Sequence, residues 1–338
     1  MQSQSLCTVL PPAPKSDWKR QLAEAISSPA ELLQQLGLES LLLEHTELNP
    51  DFRLRVPQAY INKMNKGDAR DPLLLQILPT LAEHAPGGET DPVGDLNAMP
   101  SPGLLHKYHG RALIISTAAC AIHCRYCFRR HFPYTEAQAL SSQWPTTLAY
   151  LREQTDIHEV ILSGGDPLVL DDDKLASLCR DLESIAHIKW LRIHTRLPVV
   201  LPARITPALL GWMQASRFRI TMVIHANHAN ELGADEKRAL GALQNANITL
   251  LNQSVLLQTI NDDAATLIAL SRRLHDCGVM PYYLHLLDPV QGGLHFDIDR
   301  KKACQIIDFM RAELPGYLVP RLVVEEKGAP SKTAISQI

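Results

Sequence analysis

The stretch Arg111-Ala112-Leu113-Ile114-Ile115-Ser116-Thr117-Ala118-Ala119-Cys120-Ala121-Ile122-His123-Cys124-Arg125-Tyr126-Cys127 carries an apolar, β-branched run straight into three closely spaced cysteines. Such a run reads as a buried strand, which leaves Cys120-x3-Cys124-x2-Cys127 in the loop behind it. Runs of the same character occur at Ala112–Thr117, Glu159–Ser163, Trp190–His194, Ile220–His225, Ile248–Val255 and Tyr282–Leu287. Helix-like stretches lie between and after them, around Leu140–Glu153, Leu175–Ala186, Pro207–Ala215, Ala234–Gln244, Ala264–Asp276 and Lys301–Glu313. This alternation calls for parallel strands, because each crossover helix must pack back on the sheet. The predicted fold is α/β, a partial (β/α)6 TIM-like barrel, with an open doubly wound sheet as the alternative. In both, chemistry collects at the C-terminal strand ends. Polar residues crowd there: Ser163-Gly164-Gly165-Asp166, His194-Thr195-Arg196, His225-Ala226-Asn227-His228, Asn252-Gln253-Ser254 and Asp288.

Upstream, residues 1–100 read as a helical N-terminal region, with short helical patterns at Asp17–Ile26 and Pro29–Leu36. Pro86-Gly87-Gly88, Asp91-Pro92 and Met99-Pro100-Ser101-Pro102-Gly103 punctuate it. Residues 101–315 are the expected barrel core and 316–338 a C-terminal segment. The net charge of −3 argues against a nucleic-acid partner, while leaving a local basic patch at Arg125 to His131 open. With no apolar run long enough to cross a bilayer, no membrane association and a cytoplasmic location are expected. Seven cysteines, three within eight residues and Cys7, Cys179, Cys277 and Cys304 isolated, make a poor disulfide framework and a better metal centre.

Three thiolates in one loop can hold a [4Fe–4S] cluster with one iron open to a small molecule, since a full complement is four. The alternative is a structural zinc of three Cys with His123 or His131. The cysteine spacing, with Tyr126 before the third cysteine, resembles the radical S-adenosylmethionine superfamily. That resemblance implies that the open iron binds the amino and carboxylate groups of S-adenosylmethionine and cleaves it to a radical. Ser163, Gly164, Gly165 and Asp166 resemble its motif for the methionine amino group, and His225 and Gln253 match positions lining the same site.

Within the superfamily, residues 50 to 335 resemble lysine 2,3-aminomutase. The strings that carry this are His106-Lys107-Tyr108 with Arg111, Cys124-Arg125-Tyr126-Cys127-Phe128-Arg129-Arg130, Leu162-Ser163-Gly164-Gly165-Asp166, Pro198-Val199-Val200-Leu201-Pro202, Asn252-Gln253-Ser254-Val255-Leu256-Leu257 and Pro281-Tyr282-Tyr283. Moving an amino group between carbons requires a carbonyl cofactor, and the resemblance implies pyridoxal 5′-phosphate. By the same resemblance Lys332 is its lysine, with Lys327 as the competitor, and Lys107 and Arg111 contact its phosphate. Arg129 binds the substrate carboxylate, and Asp288 and Glu325 bind a side-chain ammonium, with Glu326 in place of Glu325 if the register slips. Lys107 stands where the family has arginine, and the family's glycine run before the lysine is reduced to Gly328-Ala329-Pro330-Ser331.

Two carboxylates favour L-lysine over an acidic substrate. A chain ending at Ile338 resembles the short proteobacterial form, which implies a role in supplying (R)-β-lysine for translation elongation factor P through a separate ligase. A reductant protein for the cluster and a possible homodimer are implied in the same way. The competing readings are an aminomutase acting on glutamate or another amino acid, and a zinc-stabilised binding module without turnover.

Overall fold

The computed structural model describes residues 18–137, 140 and 143–336. Cys7, Asp17 and positions 141 and 142 of the expected helix from Leu140 lie outside the described residues. Among those described, nine strands form one sheet in strict chain order. They are β1 (Leu104–Tyr108), β2 (Arg111–Thr117), β3 (Glu159–Gly164), β4 (Trp190–Thr195), β5 (Arg219–His225), β6 (Thr249–Val255), β7 (Met280–His285), β8 (Arg321–Val324) and β9 (Thr333–Ala334). β2 through β8 pair in parallel, and β1 and β9 pair antiparallel at the two edges. A doubly wound sheet reverses its strand order at a switch point. Here the order never reverses, so the sheet winds one way as a partial barrel.

The six expected strands correspond to β2–β7. The structure corrects the count: β8 adds a seventh parallel strand within the C-terminal segment, and β1 and β9 are additional edges. Among the described residues six helices of nine residues or more join the parallel strands, at Trp144–Glu153, Asp172–Glu183, Pro207–Ala215, Ala234–Asn245, Ala264–Asp276 and Arg300–Glu313. The last shows the local logic. Asp299 caps it by accepting from the Lys301 and Lys302 amides at 2.9 and 3.1 Å. Ala303, Ile306, Ile307 and Met310 then recur at helical spacing and are all buried.

One apolar cluster runs from Trp18 to Ile335, so the N-terminal helices share the barrel's core. Leu32, Leu33 and Leu36 of the helix Pro29–Leu36 are buried in it. The N-terminal region also holds the cysteine loop by its backbone: the His123 amide donates to the Arg55 carbonyl at 3.0 Å and the Arg125 amide to that of Gln76 at 2.9 Å. Arg125 and Arg130 pair with Glu83 and Arg129 with Asp95, all with side chains less than a tenth exposed. Three cations of the Arg125 to His131 run therefore point inward onto carboxylates, so the local basic patch that the sequence left open is not formed by them.

Lys63 ties the two regions together. Its ammonium donates to the Val199 carbonyl at 2.6 Å, to the Glu231 carbonyl at 3.0 Å and to Glu236 Oε1 at 3.0 Å. Lys63→Ala leaves Glu236 buried and unpaired, and breaking a buried pair from one side costs roughly 3–5 kcal/mol. Urea unfolding of this variant should show a lower midpoint with an unchanged slope.

Candidate active site

A single cavity of about 320 Å³ opens into the barrel, and every site residue expected from the sequence lines it. Cys120, Cys124 and Cys127 come from the loop after β2, the Ser163–Asp166 turn from the end of β3, His225 from β5, Gln253 from β6, Asp288 from beyond β7, Glu325 from the end of β8 and Lys332 from just before β9. The competitors do not line it. Lys327 pairs with Glu89 at the exposed surface, and Glu326 accepts from the Thr333 hydroxyl at 2.8 Å.

The turn after β3 lies against the cysteine loop at backbone contact. The Gly165 amide donates to the Thr117 carbonyl at 2.7 Å and the Asp166 amide to that of Ala119 at 2.8 Å. A Cβ on Gly165 would sit 2.3 Å from the Ala119 carbonyl oxygen, and Gly164 has φ +116. Glycine is required at both for this approach. The Asp166 carboxylate is occupied inside the protein: it accepts from Thr195 Oγ1 at 2.7 Å, the Arg196 amide at 2.7 Å, the Leu168 amide at 3.0 Å and the Leu197 amide at 3.2 Å. It fixes the ends of β3 and β4 relative to each other.

Burial, reinforced by the neighbouring sulfurs, pushes the Cys120 thiol well above its usual range and Cys127 up to about 11. Metal binding must displace those protons. All the described cysteines are unpaired. Among the described residues no three His, Cys, Asp or Glu side chains close around the position of a single metal ion. The histidines of the zinc reading are engaged elsewhere: His123 Nδ1 with the Arg53 carbonyl at 2.8 Å and its ring on Phe52, and His131 Nε2 with the Gln291 carbonyl at 3.1 Å. Three thiols on the wall of one cavity are a donor set that suits a cluster offering each a separate iron.

At the other cluster of charges, Lys332 pairs with Glu325, and Lys107 reaches Glu325 Oε1 at 3.0 Å and Asp95 Oδ1 at 2.6 Å. Arg129 completes the series, with Nε on Asp95 Oδ2 at 2.7 Å and Nη1 on Ser163 Oγ at 3.3 Å. Arg111 stacks on the Tyr108 ring at 4.7 Å. Burial raises Glu325, but the Lys332 and Lys107 ammoniums outweigh it and hold the carboxyl at about 2. Asp288 goes the opposite way. Burial and then the Glu325 charge raise it to about 7, and its Oδ1 is buried without a partner among the described residues. Burial likewise keeps His225, stacked on Tyr126, neutral at about 3. Sequence reasoning missed Asp95, which sits in a loop with no motif around it, and Arg196, which it quoted at a strand end without a role. Arg196 Nη1 donates to Cys124 Sγ at 2.7 Å.

A family model described as a 4Fe-4S single cluster domain matches residues 109–193. The chain is 48% identical to L-lysine 2,3-aminomutase of Escherichia coli, covering 95% of each protein, and 45% identical to that of Haemophilus influenzae, covering 97% of this chain and 99% of the relative. To the L-lysine 2,3-aminomutase of Clostridium subterminale it is 32% identical, over 95% of this chain and 78% of that protein. The chain belongs to the L-lysine 2,3-aminomutase family of radical S-adenosylmethionine enzymes.

Asp288 makes stability pH-dependent. An unfolded aspartate loses its proton near about 3.9, whereas the folded one keeps it to about 7. Between those values the folded chain binds more protons than the unfolded chain, so stability falls as pH rises and levels off above 7. Asp288→Asn should exceed the parent's melting temperature by more at pH 8 than at pH 4.5, measured by thermal unfolding at the two pH values.

Proposed function

We propose that this chain converts L-lysine to β-lysine by moving the amino group from Cα to Cβ, using a [4Fe–4S] cluster, S-adenosylmethionine and pyridoxal 5′-phosphate. When bound, the cluster and S-adenosylmethionine supply one-electron radical initiation, and pyridoxal phosphate supplies a carbonyl whose π-system delocalises an unpaired electron. The observation that carries the substrate is at Glu325. This carboxylate already receives the ammonium of Lys332, an alkylammonium on a four-carbon stem, and Asp288 beside it has an oxygen unfilled. A lysine side chain presents the same group to the same carboxylates. A glutamate side chain would meet the Glu325 carboxylate and an Asp288 carboxyl with no positive charge to offer it, which disfavours the competing substrate.

In this reading Cys120, Cys124 and Cys127 hold the cluster. The Ser163-Gly164-Gly165 turn, His225 and Gln253 receive S-adenosylmethionine, and Asp166 keeps the turn in place. Lys332 binds pyridoxal phosphate, and Lys107 and Arg111 face its phosphate. Arg129, oriented by Asp95, offers its remaining N–H groups to the substrate carboxylate, a pairing that suits a guanidinium. Asp288 and Glu325 take the distal ammonium. An ammonium placed beside Asp288 favours its ionised form, so lysine should bind better as pH rises toward 8.

Among the described residues no helix is long and apolar enough to cross a membrane. A cytoplasmic location, a protein reductant, a homodimer and delivery of (R)-β-lysine toward translation elongation factor P belong to the same proposal, supported by the family resemblance alone.

The test is anaerobic purification followed by incubation with dithionite, S-adenosylmethionine, pyridoxal phosphate and L-lysine, with β-lysine read by chromatography. Brown protein forming β-lysine is expected. Lys332→Ala should lower turnover by at least about 100-fold, as expected when a covalent anchor is lost, with iron content unchanged. Cleavage of S-adenosylmethionine with lysine untouched would overturn the substrate, and iron-free protein would overturn the whole reading.

A further inference from the structure

Arg196 follows β4, is 6% exposed and has no part in the reaction as proposed. Its Nη1 donates to Cys124 Sγ at 2.7 Å. Its Nη2 faces Gln76 Oε1 at 2.7 Å, Glu231 Oε2 at 2.7 Å and the Tyr60 hydroxyl at 3.2 Å. Its own amide is held by Asp166 at 2.7 Å. The opposing carboxylate is equally fixed: Glu231 is 0% exposed, and its Oε1 accepts from the Asn227 and His228 amides at 2.7 and 3.0 Å. The guanidinium therefore cannot swing away, and it delivers a permanent charge to one sulfur on the cavity wall.

Thiolate hydrogen bonding and nearby charge are among the levers that set an iron–sulfur potential. Reduction adds one electron to the cluster, and a fixed cation on a ligand sulfur favours the more negative, reduced state. Glu231, farther from that sulfur, acts in the opposite direction. We infer that Arg196 is a positioning residue that raises the reduction potential of a cluster held by Cys124, with Glu231 as its counterweight. The inference rests on the cluster assignment proposed above. The step is a one-electron reduction of the cluster by an external one-electron donor, with no bond made or broken.

The experiment is an anaerobic potentiometric titration of the full iron-loaded chain with dithionite, followed by electron paramagnetic resonance, without substrate. It compares the parent, Glu231→Gln, and Arg196→Gln combined with Glu231→Gln. The double variant removes both buried charges together, which cores tolerate better than an orphaned one. Glu231→Gln should become easier to reduce than the parent. The double variant should become harder to reduce than Glu231→Gln, by about tenfold in the ratio of reduced to oxidised cluster at one potential, or about 59 mV for one electron. Equal potentials in the two variants at full iron content would overturn the inference. So would a folded double variant that cannot retain iron, which would make the role purely structural. An iron-free parent would instead overturn the cluster assignment itself.

Discussion

Charges inside a barrel lumen have little water to stabilise them, and each ion taken from water costs several kcal/mol unless it is paired in good geometry. The series Lys332, Glu325, Lys107, Asp95 and Arg129 meets that constraint with five charges in alternating sign. Its members come from both sheet edges, the end of β8, a loop of the N-terminal region and the cysteine loop. The pairing therefore does structural work, joining elements that are far apart in sequence. It also favours the ionised forms of Glu325 and Asp95. A charged ligand entering this cavity exchanges one internal partner for another and does not have to bury a new, unmatched ion.

The N-terminal helices act on the same centre from outside. They contribute Gln76 and Tyr60 to the guanidinium of Arg196 and Glu83 to Arg125 and Arg130. Together with the backbone bonds to His123 and Arg125, these contacts confine a loop that has no regular structure of its own. The glycines at 164 and 165 close the other side by allowing backbone to touch backbone. A loop held from two sides can keep three sulfurs apart at set positions even though none of them lies on a helix or strand.

Much of the fold was legible because buried parallel strands are written as continuous apolar runs, as at Ile220–His225 and Glu159–Ser163. β8 was missed because Arg321-Leu322-Val323-Val324 is four residues long, and β9 because two residues carry no periodicity. β1 was obscured by its polar half, His106-Lys107-Tyr108. The residues lining the cavity were accessible through motif order, which the spacing of the three cysteines anchored. Asp95 was not, since a single carboxylate in a loop differs in no local way from a solvated one, and only the fold brings it between Lys107 and Arg129. The inward turn of the arginines at 125, 129 and 130 was not legible for the converse reason: a run of cations is equally consistent with a surface, and here their counter-ions come from distant sequence.

β9 has only Thr333 and Ala334, and it pairs with β8 through two register positions at the edge of the sheet. Lys332 immediately precedes the shortest strand among the described residues. Opening of such a segment costs far less than global unfolding, and its amides exchange with solvent accordingly. A molecule bonded to Lys332 and gripped by the barrel wall would act as a clasp across that seam. Its binding free energy would add directly to the local closing equilibrium, so the tail of this chain would be ordered by what it holds.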